Sequence, residues 1–145
     1  MNELASIENE EGDVYAIMSY EPSRNYLIMK WIGFCTDEEL MTATLKMLEW
    51  QQSEGWRHVC QFHVHDTKEF GVAWSGAIDW IVNEYFPQLH KAGVRYNISI
   101  LSPDLFSKLS SEALFEKSEP VLPTKLCETL SEAERFIDEH HHITG

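Results

Sequence analysis

A short run of histidine and aspartate is the part of this sequence whose residue types and spacing could do chemistry. His63, His65 and Asp66 occupy a segment in which apolar and polar residues alternate, and this alternation predicts a β-strand. Histidines separated by one residue share a face of a strand, so both imidazoles could reach one metal ion, with Asp66 as a weak third candidate ligand. The sequence supplies no further ligand at a recognisable spacing. We therefore favour the alternative, that these residues are a polar strand end, and predict no cofactor.

Other catalytic signatures are missing from the sequence. It contains no glycine-rich phosphate loop, no dinucleotide-binding fingerprint and no nucleophile elbow. Its three cysteines, Cys35, Cys60 and Cys127, lie in apolar stretches, where a thiol behaves as a small hydrophobic group. An odd number of widely spaced cysteines is typical of a reducing compartment. We expect a non-enzymatic protein, and keep as an alternative a metal-dependent enzyme that uses His63, His65 and Asp66.

The charge of the chain restricts its partners. Acidic residues outnumber basic ones by 24 to 11, which gives a net charge of −13. Such a surface repels phosphate backbones and anionic lipid headgroups, so we expect no nucleic-acid partner. The sequence has no apolar run long enough for a membrane span and no signal peptide at its start. These observations predict a cytoplasmic protein.

The hydrophobic pattern predicts one domain between two tails. Residues 1–13 are acidic and polar and are expected to form a flexible N-terminal tail. Residues 14–140 are expected to form a single α/β domain, and residues 141–145 a second flexible tail. The first two strands, at 14–20 and 26–34, are joined by a short turn and predict an antiparallel hairpin.

Strands and helices then alternate along the chain. Further strands are predicted at 56–64, 95–101 and 125–129. Helix starts are indicated by a capping box from Thr36 to Glu39, by the run from Ser102 to Asp104, and by a second box from Ser131 to Glu134. Gly55 is expected to end the first helix. The predicted fold is a mixed, mostly parallel β-sheet of about five strands with helices packed on it.

This order, together with several segments, resembles the STAS-like proteins, a group of small bacterial proteins that share the fold of anti-sigma-factor antagonists. The segments that carry the resemblance are residues 26–34, 80–87, 92–95, 98–106 and 130–137. The resemblance implies a STAS-like fold and a regulatory or protein-interaction module. Antagonists of this kind carry a phosphorylated serine after the third strand. In this sequence the corresponding segment offers only Thr67 and Ser75, neither in that motif.

An aromatic-rich helix is the strongest candidate for an interaction surface. Trp74, Trp80, Tyr85 and Phe86 are too many for one buried stripe of a helix, so part of this set is expected at the surface. An exposed apolar patch on a protein often marks an interface. We predict that these residues contact a protein partner or form a homodimer.

A ligand site at the edge of the sheet is the alternative. Open α/β sheets bind ligands where their parallel strands end. His65, Thr67, Ser102 and Phe106 are predicted to lie at this edge. The alternative function is therefore the binding of a small apolar ligand or lipid.

Overall fold

A six-stranded sheet forms the centre of the protein in the computed structural model, which describes residues 1–141. The strands follow one another across the sheet in chain order. They are β1 (Asn2–Glu8), β2 (Val14–Glu21), β3 (Tyr26–Gly33), β4 (Phe62–Phe70), β5 (Tyr96–Ile100) and β6 (Thr124–Cys127). The helices are α1 (Asp37–Trp50), α2 (Ile78–Trp80), α3 (Phe86–Lys91), α4 (Leu105–Ser118) and α5 (Leu130–His140).

Two π-helical segments extend this set of helices. Gln51–Gly55 continues α1, and Ile81–Tyr85 joins α2 to α3. A single 3₁₀ turn, Ser75–Ala77, precedes α2. Short π-helical segments inside helices occur often at functional sites.

The sheet is mixed, as the sequence predicts. Strands β1, β2 and β3 pair antiparallel, whereas β3 to β6 pair parallel. Each parallel step is made through helical connections, which is how parallel strands are joined. The sheet has six strands rather than about five, because the predicted N-terminal tail contributes a strand.

The helices cover the two faces of the sheet unequally. We call the face that packs against α1, α2, α3 and α4 the inner face, and the face that packs against α5 the outer face. The inner core joins Leu27 and Met29 of β3 to Leu40 of α1. The outer core joins Ile98 of β5 to Ile137 of α5. Strand alternation therefore decides which layer each side chain enters.

The prediction of a flexible tail at residues 1–13 is wrong for most of that segment. Strand β1 pairs with β2 and places Ala5 opposite Met18 and Ile7 opposite Ala16. Ile7 is buried in the inner core. Pairing with β1 satisfies the backbone groups along β2, although Ile7 is the only buried residue of β1 and Ala5 is partly buried. Of the predicted C-terminal tail, residues 142–145 lie outside the described residues.

The boundaries around β4 also differ from the prediction. The helix does not end at Gly55: it continues through residue 57, and the chain turns at Val59, which has a φ of 54°. Strand β4 therefore begins at Phe62 rather than at residue 56.

Two later helix starts differ as well. Helix α4 begins only after the predicted run from Ser102 to Asp104, and its cap is Asp104, whose side chain accepts from the Ser107 backbone N–H. Helix α5 is capped by Thr129 rather than by Ser131. The Thr36 capping box is confirmed, with both of its hydrogen bonds present. Any Ser, Thr or Asp can cap a helix, so neighbouring candidates compete.

Candidate functional site

The inner face of the two central strands is polar. Strand β4 directs His63, His65 and Thr67 to this face, and β5 directs Asn97 and Ser99 to it. The parallel register places His63 beside Asn97 and His65 beside Ser99. All these residues except His65 are buried, although the layer that covers them is built mainly from apolar side chains.

Gln51 fixes the orientation of His63. The Gln51 side-chain N–H groups donate to the backbone carbonyls of Cys60 at 2.8 Å and Ala92 at 3.0 Å. Gln51 Oε1 is then the acceptor for His63 Nε2 at 2.8 Å, so Nε2 carries the proton. His63 Nδ1 is left as a buried acceptor with no hydrogen-bond partner among the described residues.

Gly55 makes this arrangement of Gln51 sterically feasible. A Cβ atom at Gly55 would lie 2.7 Å from the Gln51 Cδ atom and 2.9 Å from the Trp50 ring. The π-helical segment places Gln51 and Gly55 in the same turn. The absent side chain of Gly55 therefore provides the space in which Gln51 turns toward the sheet.

His65 is held by a tryptophan. Trp31 Nε1 donates to His65 Nδ1 at 3.1 Å, and the two rings stack with an interplanar angle of 18°. Because an indole N–H can only donate, His65 Nδ1 must be unprotonated, and its proton lies on Nε2. Burial lowers the pKa of His65 to about 4, and burial together with the nearby His65 lowers the pKa of His63 to about 3. Both imidazoles are therefore neutral near pH 7.

Several buried polar atoms on this face of the sheet, or on the helical segments that cover it, have no partner within residues 1–141. Besides His63 Nδ1, they are Tyr85 Oη, Asn97 Oδ1, Ser107 Oγ and Ser111 Oγ. Burial also raises the pKa of Tyr85. Each unpaired buried polar group costs about 1–3 kcal/mol, so the set is a substantial cost for a domain whose whole stability is about 5–15 kcal/mol.

A cavity of about 40 Å³ lies between this polar layer and the helices. It is partly open, and its lining combines polar and aromatic side chains. The lining residues are Trp31, Leu40, Thr44, His65, Thr67, Phe70, Trp74, Ile81, Tyr85, Phe86, Asn97, Ser99 and Leu114. The volume exceeds the roughly 10–15 Å³ that one water requires and is smaller than the roughly 150 Å³ that holds benzene. His65 is partly exposed and is one of the residues that line the cavity.

The structure places two of the four predicted ligand-edge residues at the cavity and two elsewhere. His65 and Thr67 line the cavity, and the Thr67 hydroxyl donates to the Ile100 carbonyl at 2.6 Å. Ser102 is buried but has a local role, since its hydroxyl donates to the Phe70 carbonyl at 2.6 Å and accepts from Asp104. Phe106 lies on the exposed side of α4 and does not line the cavity. Only half of the predicted edge is therefore brought together.

The hydroxyls of Thr67 and Ser75, which follow the third predicted strand, differ in solvent exposure. Thr67 is buried and its hydroxyl is already hydrogen-bonded to a backbone carbonyl. Ser75 is exposed at the start of the 3₁₀ turn. Neither residue lies in the antagonist motif, and the sequence predicts phosphorylation at neither.

The proposed metal ligands do not converge. His63 and His65 face inward, but Asp66, the next residue along the strand, lies on the outer side opposite Lys30. Asp66 Oδ1 accepts from the Lys68 backbone N–H at 3.1 Å. Among residues 1–141 there is no group of three or more His, Cys, Asp or Glu side chains that could hold a metal ion. The metal hypothesis placed Asp66 with the histidines, and strand alternation separates them.

The structure buries most of the predicted aromatic interaction surface. Trp74, Tyr85 and Phe86 are buried in the inner core, and Trp80 is half-buried with its ring stacked on Tyr85 at 5.5 Å. The π-helical segment between α2 and α3 adds a residue to one turn and shifts the helical phase. Aromatic residues on both sides of it can therefore face the sheet.

The residues that sequence analysis missed are polar and far apart in the chain. Gln51 and Asn97 gave no local signal, because their roles depend on contacts across the fold. The serines of α4 did offer a signal: Ser107, Ser110, Ser111 and Ser118 recur at helical spacing. All four are buried on the side of α4 that faces the protein.

Comparison with known proteins leaves this site unassigned. No protein-family model, no curated protein and no solved structure matches the chain. In the part of the chain that the structure describes, no helix is long and apolar enough to cross a membrane. The function is therefore argued from the geometry of the inner face.

Proposed function

We propose that this protein binds a small neutral molecule in the inner cavity, with an apolar body against the aromatic walls and a hydroxyl or similar group against β5. The observation that carries the proposal is that two residues of the cavity lining, Tyr85 and Asn97, each have a buried side-chain oxygen without a hydrogen-bond partner among residues 1–141. A ligand that hydrogen-bonds to them would offset a cost that the protein otherwise bears.

The neutral character of the ligand follows from the lining. It contains no Lys, Arg, Asp or Glu, and His65 is neutral because its pKa is lowered to about 4. An ion placed there would lose its hydration without gaining a charged partner. Carboxylates and amines with the same carbon skeleton should therefore bind much more weakly than alcohols.

The hydrogen-bonding groups favour a hydroxyl. Asn97 Oδ1 can only accept, whereas Tyr85 Oη can donate or accept. His65 Nε2, which carries the imidazole proton, is a donor. A hydroxyl both donates and accepts, so one ligand group can satisfy both kinds of partner.

The size of the cavity limits the ligand. About 40 Å³ accommodates only a few non-hydrogen atoms, so a larger ligand requires a helix to move. The cavity would widen most readily where it meets α4, because Leu114 is the only residue of that helix in the cavity lining. This binding role does not depend on the STAS-like resemblance, and both that resemblance and a regulatory role stay predictions.

A series of matched ligands tests the proposal. Thermal unfolding is measured with isopropanol, cyclohexanol, phenol and indole, and with a carboxylate of similar skeleton in each case. We expect the neutral compounds to raise the unfolding temperature and the carboxylates to leave it unchanged. Absence of a shift with every neutral compound, or equal shifts with the carboxylates, would contradict the proposal.

Two tyrosine variants provide the matched control. Tyr85→Phe removes one hydroxyl from the cavity lining and should weaken binding by roughly 5- to 10-fold. Tyr15→Phe removes the same atom from a tyrosine whose hydroxyl donates to the Glu39 carbonyl at 2.8 Å, outside the cavity. Its ligand affinity should equal that of the wild-type protein.

A further inference from the structure

Helix α4 has its polar and apolar sides reversed relative to an ordinary surface helix. A surface helix normally buries its apolar stripe and exposes its polar residues. The buried side of α4 carries four serines and Leu114. Its exposed side carries four large apolar residues, Leu105, Phe106, Leu109 and Phe115. Leu105, Leu109 and Phe115 lie within about 120° of one another around the helix axis, whereas Phe106 lies on the opposite flank from Phe115. We call Leu105, Leu109 and Phe115 the α4 apolar surface.

The orientation of α4 is fixed by hydrogen bonds. Ser110 Oγ accepts from the Trp74 backbone N–H at 3.0 Å, and Ser118 Oγ donates to Thr124 Oγ1 at 2.8 Å. Asp104 caps the first turn. Rotation that buried Leu105 or Phe106 would break these bonds, so the exposure of 62% and 63% at these residues belongs to the folded protein.

The charge of α4 differs from that of the rest of the chain. The chain has a net charge of −13, but α4 contains two lysines and two glutamates, which cancel. Lys117 pairs with Asp79 at 3.6 Å. Within residues 1–141, Lys108 and Glu112 take no part in an ion pair. Although Asp104 and Glu119 flank it, the helix itself is neutral, so two copies that meet there repel each other less than their net charge of −13 each implies.

We propose that the α4 apolar surface binds the same surface of a second copy, with the two α4 helices antiparallel across a two-fold axis. Lys108 and Glu112 lie one turn apart on the same side of the helix. Reversal of the second helix places Lys108 of each copy against Glu112 of the other, and Leu105 against Phe115. A two-fold interface forms every such contact twice. This interface is independent of the ligand site, and it replaces the aromatic surface that the sequence predicted.

The oligomeric state of the full chain provides the first test. Sedimentation equilibrium or light scattering from micromolar to submillimolar concentration should show a monomer–dimer equilibrium. Leu109→Glu should abolish the dimer, and Leu45→Glu on α1, at another exposed apolar residue, should leave it intact. A monomer at every concentration, or a dimer that Leu109→Glu does not weaken, would overturn the proposal. Binding of α4 to a different protein or to vesicles by such a monomer would give the surface another occupant.

Charge reversal tests the antiparallel arrangement. Lys108→Glu and Glu112→Lys each place like charges opposite one another and should raise the dimer dissociation constant roughly 3- to 10-fold. A mixture of the two variants should form the mixed dimer preferentially, and the double variant should recover wild-type affinity. If the mixture and the double variant both stay weak, the antiparallel pairing is wrong. Circular dichroism of each variant establishes that the fold is retained.

Discussion

The two faces of strands β4 and β5 are built from the same short segments but differ in chemistry. The outer face carries Phe62, Val64, Ile98 and Ile100, all buried and all apolar. The inner face carries His63, His65, Thr67, Asn97 and Ser99. Two of the five unpaired buried polar atoms found within residues 1–141, His63 Nδ1 and Asn97 Oδ1, lie on this inner face, and the other three belong to helical segments. Alternation along β4 and β5 therefore separates an apolar face from a polar face.

The outer core serves mainly to stabilise the fold, whereas the inner face carries the candidate binding site. The outer core satisfies the ordinary rule that buried side chains are apolar, and it needs only α5 to cover it. The inner layer departs from that rule at the point where a cavity lies against the sheet. Natural proteins accept such local costs mainly at functional sites. The contrast between the faces is thus the main structural argument for a binding role.

Acidification should cause the largest loss of folding stability, and this loss should come from the two histidines of the inner face. The folded-state pKa values of His63 and His65 are lowered from 6.5 to about 3 and about 4. Below pH 6.5 the unfolded chain binds protons that the folded chain does not, so stability decreases as pH falls. The loss should approach roughly 6 kcal/mol near pH 4.

Urea unfolding at a series of pH values measures this loss. The interval from pH 6.5 to 5 is decisive, because most carboxylates do not titrate there. A slope of up to about 2.7 kcal/mol per pH unit is expected for two histidines, and His65→Gln should remove about half of it. A wild-type stability that is constant over this interval would show that the histidines are not buried and neutral.

Truncation of the outer core should have the next largest effect. Phe62→Ala removes a fully buried ring from the outer face and should cost about 3–5 kcal/mol. Ser99→Ala, at a buried position on the inner face of the adjacent strand, should cost less than about 1 kcal/mol. Chemical denaturation compares the two. Equal costs would mean that the two faces contribute alike to stability.

The smallest expected difference in unfolding free energy is between variants of two buried tyrosines. Tyr15→Phe removes a hydroxyl that donates to a backbone carbonyl and should cost about 1 kcal/mol. Tyr85→Phe removes a hydroxyl that has no partner among the described residues and should leave the ligand-free protein equally stable or more stable. A larger loss for Tyr85→Phe would show that its hydroxyl is already satisfied. Unfolding free energies measured in the same buffer decide this.

The sequence predicts much of the sheet because alternation and turn residues are local signals. Strands β2 and β3, their hairpin and the Thr36 capping box follow from neighbouring residues. Strand β1 was missed, since its acidic residues conceal the alternation of Ala5 and Ile7. The π-helical segments were missed for a different reason. An apolar pattern with a period of 3.6 does not reveal where one extra residue enters a turn.

The site was predicted less completely than the fold. Alternation placed His63 and His65 on one face, and His65 and Thr67 do line the cavity. The same rule excludes Asp66, which was nevertheless included as a candidate ligand. Gln51 and Tyr85 reach the inner layer through tertiary packing, and no local pattern specifies such contacts.

The most direct test of the inner-face site is a nuclear magnetic resonance titration of the full chain with isopropanol, the compound of the series that fits the cavity without a helix movement. The account predicts saturable shifts of the Asn97 side-chain amide and the His65 ring, with much smaller shifts at Phe62 and Ile98 on the outer side. Isobutyrate, the carboxylate with the same carbon skeleton, should produce neither set of shifts. Shifts that are absent, that do not saturate, or that are equal on the two faces would contradict a ligand site on the inner face.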